Sequence, residues 1–269
     1  MERSERSDRA GPVEERAVRL EVNGRALESW TASPGHADAL AAGRLLVEGF
    51  IRGRADLLGL DVEERPEGTV VRVRVPEDVA AAAWSAHGSR AAASGAPPGE
   101  TLAQPRPDRP RAPLPPLAAF GPLFRALFAA AELYDRTGGL HTAALCDGTR
   151  LVRQVEEVGR HNAVDKAIGL GVLAGDDLSR LGLILSARVS GAMAYKAARA
   201  GLAWIASRSV PTTMAVAIAE TAGLPIVARA AGPHPHVYAA GSGANPTSAA
   251  TADSETARRR DGEWGEGKG

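Results

Sequence analysis

The densest group of chemistry-bearing side chains in this sequence is Glu156-Glu157-Val158-Gly159-Arg160-His161-Asn162-Ala163-Val164-Asp165-Lys166. It falls where a strand should hand over to a helix. Gly159 would let the backbone turn, and the first helical turn would offer unpaired N–H groups. Arg160 and Lys166 add positive charge, and His161 and Asn162 can hydrogen-bond. These residue types suit a phosphate or another anion; they equally suit a solvated helix start with ordinary caps. Lysine is scarce, at positions 166, 196 and 268 among 32 basic residues. Both internal lysines lie in polar motifs, where a compact point charge differs from a planar guanidinium.

Two further loops have a similar character. Ser186-Ala187-Arg188 follows an apolar run at Leu181–Leu185, and Ser207-Arg208-Ser209-Val210-Pro211-Thr212 follows one at Ala203–Ala206. Ligands of α/β sheets gather at such strand ends, although short hydroxyl residues also cap helices. Thr137-Gly138-Gly139-Leu140-His141-Thr142-Ala143 is explained as a helix stop before a strand, with His141 structural. A zinc deaminase would need His-x-Glu and a later Pro-Cys-x-x-Cys, and the string at His141 has neither. His234 and His236, flanking Pro235, are too few for a metal centre. The single cysteine, Cys146, excludes an internal disulfide or a dithiol pair. A lone cysteine is commonly a small buried hydrophobe, and a catalytic role for Cys146 is the less favoured of its two readings.

The chain has 269 residues, 44% hydrophobic but only 4% aromatic, so its core must be built from Ala, Val, Leu and Ile. The formal net charge of 0 argues against bulk binding to nucleic acid. No run of about 18 apolar residues suggests a membrane span, and the charged start MERSERSDRAGPVEER lacks the apolar stretch of a secretory signal. A cytoplasmic location is expected.

The elements that must position these residues follow from periodicity and turn chemistry. Residues 1–15 read as a charged, disordered tail and 16–87 as a small α+β domain. Within it, Val18–Val22 enters a hairpin at Asn23-Gly24, a helix is predicted over His36–Ile51, strands over Leu57–Glu64 and Thr69–Val75 flank Pro66-Glu67-Gly68, and a helix spans Glu77–Ser85. Eight of the 18 prolines fall between Pro97 and Pro116, so 88–116 reads as an extended linker or mobile loop. From 117 to 241 strands and helices alternate: a helix Phe120–Arg136, a hairpin Leu140–Cys146 and Thr149–Glu156 about Asp147-Gly148, a helix Gly159–Leu173, then short strands Leu181–Leu185, Ala203–Ala206 and Leu224–Ala228 separated by helices Val189–Ala200 and Thr212–Thr221. This pattern predicts a larger, layered C-terminal α/β domain. Residues 242–269 read as a disordered tail.

Val158-Gly159-Arg160-His161-Asn162-Ala163-Val164-Asp165-Lys166 resembles the signature of the formate dehydrogenase accessory sulfurtransferase family, FdhD/NarQ type. Val22-Asn23-Gly24, Ser33-Pro34-Gly35 and Gly43–Gly49 resemble its N-terminal motifs. Gly138–His141, Lys196–Gly201 and Ser207–Thr212 resemble its C-terminal ones, so the likeness runs from about Glu14 to Tyr238. The resemblance implies a cytoplasmic homodimer with a cytidine-deaminase-like α/β domain. It implies a carrier of sulfur from a cysteine desulfurase to the molybdenum cofactor of formate dehydrogenase or a related molybdoenzyme. The cargo it implies is the bis(molybdopterin guanine dinucleotide) form of that cofactor. Its contacts would fall on Arg160, His161, Asn162, Asp165, Lys166, Arg188, Lys196, Ser207, Ser209 and Thr212. The family's Phe-x-Arg segment would fall at Val227, Ala228, Arg229, Ala230, Ala231 and Gly232, with Val in place of Phe. The family's persulfide rides on a Cys-x-x-Cys loop that would correspond to the region of Gly88–Leu102, where Ser94 and Pro97 would take the cysteine positions. Neither can carry a persulfide. A chain of this kind is either a carrier that uses Cys146, a non-catalytic cofactor-binding chaperone or regulator, or a decayed relative that has lost its ligand.

Overall fold

The computed structural model describes residues 12–92 and 110–239. The tail expected over 242–269, residues 1–11 of the tail expected over 1–15, and the centre of the proline-rich segment with Ser94 and Pro97 lie outside these residues. Strands β1 (Arg16–Val22) and β2 (Arg25–Ala32) form the hairpin expected at Asn23-Gly24. Helix α1 (Ala37–Glu48) follows, then β3 (Gly59–Arg65), β4 (Gly68–Arg74) and α2 (Glu77–Ala92). These strands make a four-stranded sheet in the order β2-β1-β4-β3, with β1 and β4 parallel. Helix α2 runs past the sequence expectation of Ser85 to Ala92, through Gly88, which weakens a helix but does not end it as proline would.

The second sheet has six strands in the order β10-β9-β8-β7-β5-β6. Its members are β5 (His141–Cys146), β6 (Leu151–Glu157), β7 (Gly182–Leu185), β8 (Ile205–Ser207), β9 (Ile226–Ala228) and β10 (His236–Tyr238). Strands β7, β8 and β9 are parallel, while β5 runs antiparallel to both β6 and β7. The helices α5 (Arg160–Ala174), α6 (Gly191–Ala200) and α7 (Thr213–Ala222) bury one face, against Ala143, Leu145, Leu183, Leu185 and Ile205. Helix α3 (Phe120–Ala129) buries the other, where Phe120, Phe124 and Trp204 meet Ala144, Cys146 and Ile184. Burial on both faces explains why these strands are short continuous apolar runs rather than alternating ones. The fold class is therefore mixed α/β with two sheets, as the sequence pattern predicts. Among the described residues no helix is long and apolar enough to cross a membrane.

Three expectations need correction. The helix expected over Phe120–Arg136 is two helices, α3 and α4 (Glu132–Thr137), because the Glu156 carboxylate accepts from Leu133 N at 3.0 Å and Tyr134 N at 2.5 Å. A carboxylate from a neighbouring strand thus supplies a helix cap that local sequence does not. Strand β10 was not expected; three residues beside a Pro carry too little pattern, and pairing with β9 creates it. The segment after residue 109 is anchored rather than free. Ala112 N donates to Ser179 O at 2.9 Å, and Arg111 Nη1 donates to Ala222 O at 2.7 Å and Gly223 O at 2.9 Å, capping the end of α7.

A single hydrophobic cluster joins the two sheets: Val18, Leu20 and Val71 of the first share it with Leu40 and Leu46 of α1 and with Val164 and Ile168 of α5. Helices α1 and α5 lie in very close contact. A Cβ on Gly43 would overlap the Asp165 carbonyl, and one on Gly169 would overlap the Ala39 carbonyl.

Candidate functional site

The strand directions bring the sequence motifs to one edge of the six-stranded sheet. The carboxyl ends of β6, β7, β8 and β9 share that edge with the amino end of β5, since His141 pairs with Glu157 and Ala143 with Leu185. The loops there are stitched together. Ser186 N donates to Thr142 O at 3.0 Å, and Thr142 N donates to Ser186 Oγ at 3.1 Å. Ser207 Oγ donates to Ala187 O at 2.7 Å and accepts from Ser209 N at 2.9 Å. Arg229 N donates to Ser209 O at 3.0 Å, Ala230 N to Ser207 O at 2.9 Å, and Thr212 N to Val189 O at 3.0 Å.

Four arginines project from this edge: Arg160, Arg188, Arg208 and Arg229 are all exposed. None pairs with a carboxylate among the described residues. Elsewhere arginines such as Arg16, Arg44, Arg65, Arg72 and Arg153 are ion-paired. Arg208 stacks over Phe128, its Cζ 5.5 Å from the ring centroid. Arg229 sits in the left-handed region with φ at 51°, a backbone conformation costly for a side-chain-bearing residue and held by the hydrogen bonds on either side of it. Among the described residues, the N-termini of α5 and α6 have no side-chain cap, and Ser190 Oγ at the start of α6 is buried without a hydrogen-bond partner. Cationic side chains, free helical N–H groups and a sheet edge together form an anion-accepting surface.

The other motif residues face inward. Lys166 Nζ meets Glu157 Oε2 at 2.5 Å and donates to Ser33 O at 2.8 Å, and both side chains are buried. On its other side Lys166 borders a narrow cleft shared with Arg16, Ser33, Pro34 and Thr69. Lys196 pairs with Asp165 and donates to His161 O at 3.2 Å. Asn162 Nδ2 donates to Thr31 O at 2.9 Å. Val227, Ala228 and Ala230 are buried, so only their backbone faces the edge, while Ala231 and Gly232 are exposed beside Arg229. Gly159 takes φ −92° and ψ 111°, which any residue can adopt. Its value is space, since a Cβ would press to 3.1 Å from Asn162 Nδ2. Ser33 and Glu157, which tie this turn to the N-terminal sheet, were not among the expected site residues. The Ser33-Pro34-Gly35 motif was the available signal, but its partner lies 124 residues away.

Burial, then the neighbouring charge of Arg160, lowers the His141 pKa; burial, then Lys196, Arg160 and Arg44, lowers that of His161. Both imidazoles are neutral at pH 7. A histidine with a depressed folded-state pKa contributes stability above its ordinary value of 6.5 and loses it as pH falls through the lowered value. His161→Gln should therefore flatten the acid side of the stability–pH curve, read as melting temperature between pH 7 and pH 5; an unchanged slope would count against this placement.

Cys146 lies at the opposite end of β5 from the loops, fully buried against α3. Burial pushes its thiol up to about 12, with a smaller raising effect of Asp147 and a lowering one from the Gly148 amide. At pH 7 such a thiol is ionised to roughly one part in 10⁵.

The fold and edge define a two-sheet α/β protein with exposed arginines along one sheet edge. The family model described as FdhD/NarQ matches residues 13–243, so the chain belongs to the FdhD/NarQ family. It is similar to a sulfur carrier protein FdhD of Streptomyces avermitilis, with 36% identity over 84% of this chain and 86% of that one. Its identity to the protein of the same name from Bordetella petrii is 33%, over 82% and 81% of the two chains. A solved structure of a formate dehydrogenase accessory protein from Desulfotalea psychrophila matches with a TM-score of 0.65 at 24% identity, covering 83% of this chain and 86% of that one, which shows a shared fold.

Proposed function

We propose that this chain is a sulfur carrier protein of formate dehydrogenase maturation, which receives sulfur from a cysteine desulfurase and binds the molybdenum cofactor as cargo in its bis(molybdopterin guanine dinucleotide) form. The observation that carries the binding half is the set of exposed arginines, Arg160, Arg188, Arg208 and Arg229, which have no carboxylate partner among the described residues and lie on one sheet edge. Pyrophosphate groups would take charge-assisted hydrogen bonds from these guanidinium groups and from the first N–H groups of α5 and α6. Ser207, Ser209 and Thr212 shape the loop between them. Asp165, Lys166 and Lys196 serve the cargo by holding α5 in place. A homodimer in the cytoplasm, serving formate dehydrogenase or a related molybdoenzyme, completes the reading.

The transfer half needs a thiolate that accepts a sulfane sulfur and later gives it up. Cys146 is the single cysteine of the chain, and it is buried and protonated. That observation favours a second reading, a non-catalytic cofactor-binding chaperone or regulator in the same maturation pathway.

One pair of measurements separates them. GDP, the nucleotide portion of the cargo, should bind the purified chain, and Arg229→Ala should weaken it by about tenfold, the worth of one charge-assisted contact. Intact mass after incubation with a cysteine desulfurase and cysteine should then be read. An adduct of one sulfur atom, absent in Cys146→Ala, establishes transfer; GDP binding without an adduct establishes the chaperone. A chain that neither binds GDP nor gains sulfur overturns both readings and points to a decayed relative.

A further inference from the structure

The turn that presents Arg160 is held from the N-terminal sheet, and nearly all of the grip passes through one residue. Ser33 follows β2. Its amide donates to Glu157 Oε1 at 2.9 Å. Its hydroxyl accepts from Val158 N at 2.9 Å. Its carbonyl accepts from Lys166 Nζ at 2.8 Å. Glu157 in turn accepts from Gly159 N at 3.2 Å and pairs with Lys166 at 2.5 Å. Two residues earlier, Thr31 O accepts from Asn162 Nδ2 at 2.9 Å. The end of β2 therefore grips the backbone just before Arg160 and the side chain just after His161.

We infer that Ser33 is a positioning residue for cargo binding: through Val158 N and Glu157 it fixes the turn from which Arg160 and the free N–H groups of α5 project. This rests on the cargo reading above. Three features set the contact apart from ordinary core packing. Every polar group of Ser33 is used, all on one turn and on the helix it starts. The amide and carbonyl bonds are buried and the hydroxyl bond to Val158 N is part-buried, so loss of the hydroxyl leaves an amide that water reaches poorly. Arg160 is the first residue of α5, so a small change in the turn swings its guanidinium and the adjacent N–H groups together, and misplacing a binding group by about 1 Å is costly.

The test uses the full chain, with GDP as the probe. In Ser33→Ala the Val158 amide loses its acceptor, while the Ser33 amide and carbonyl bonds to Glu157 and Lys166 remain, so the fold survives. The expected result is a GDP dissociation constant raised about five- to tenfold, with faster hydrogen exchange confined to the amides of 158–162. Ser33→Thr keeps the hydroxyl and should return both readouts to within about twofold of wild type. In the wild-type chain GDP should slow exchange at Val158, because coupling between ligand and turn is reciprocal. Wild-type GDP affinity in Ser33→Ala, or a Thr variant as weak as the Ala one, overturns the inference while leaving the cargo reading intact. A wild-type chain that binds no GDP overturns the cargo reading and the inference with it.

Discussion

Gly169→Ala lowers the melting temperature by about 10 °C. Helix propensity alone points the other way, since alanine is favoured over glycine inside a helix by about 1 kcal/mol. Sterics decides. Gly169 faces α1 across the closest helix contact of the fold, and its new Cβ would occupy the place of the Ala39 carbonyl oxygen. The obstacle is backbone, which cannot rotate away as a side chain can. Relief requires α1 and α5 to separate, opening the cluster of Leu40, Leu46, Val164 and Ile168 that joins the two sheets. Overpacking of this kind costs about 3 kcal/mol or more. The control is Gly121→Ala in α3, where the nearest contact to an added Cβ is the end of Arg125 at 3.6 Å. That substitution should be neutral or slightly stabilising. Thermal unfolding of both variants checks the pair of outcomes; equal melting temperatures would contradict the helix contact.

Lys196→Met is expected to cost about 3–5 kcal/mol at pH 7, as removal of one partner from a buried ion pair does. Asp165 is buried, and Lys196 is its hydrogen-bonding cation; its Oδ1 has no hydrogen-bond partner among the described residues. Burial raises the Asp165 pKa even with Lys196 and Arg44 opposing it, and loss of Lys196 raises it further. A carboxyl raised in the folded state favours folding below its ordinary value of 3.8, and that contribution is lost as pH rises through the folded-state value. The variant should therefore recover part of its stability on acidification, and the gap to wild type should narrow as pH falls from 7. Asp165→Asn combined with Lys196→Met removes the buried charge and should restore most of the loss. Denaturant unfolding at two pH values, analysed as a double-mutant cycle, measures the coupling; purely additive losses would show that the two side chains do not act as a pair.

Much of this architecture was readable along the chain. Asn23-Gly24 and Asp147-Gly148 announced their hairpins, since few residues accept the backbone angles of so tight a reversal. Runs such as Leu181–Leu185 announced buried strands, and the alternation of strand and helix announced the α/β class. The cluster from Glu156 to Lys166, Ser186 to Arg188, and Ser207 to Thr212 were each recognisable as strand-to-helix turns. Local patterns suffice for these because backbone conformation and side-chain periodicity are properties of neighbours in sequence.

The tertiary structure decided which of those residues look outward. Arg160 and Lys166 stand in one motif with the same charge, yet one is exposed and the other is buried against Glu157. That division depends on Ser33, placed beside the motif by the packing of α1 on α5, and a buried charge goes where its partner is. The break between α3 and α4 came from Glu156, and β10 from pairing with β9. Cys146, chemically open as a residue type, was closed by its position under α3, where low polarity keeps the thiol protonated. Solvation and partner geometry arise between segments distant in sequence, which is why residue types alone could name the chemistry but not assign it.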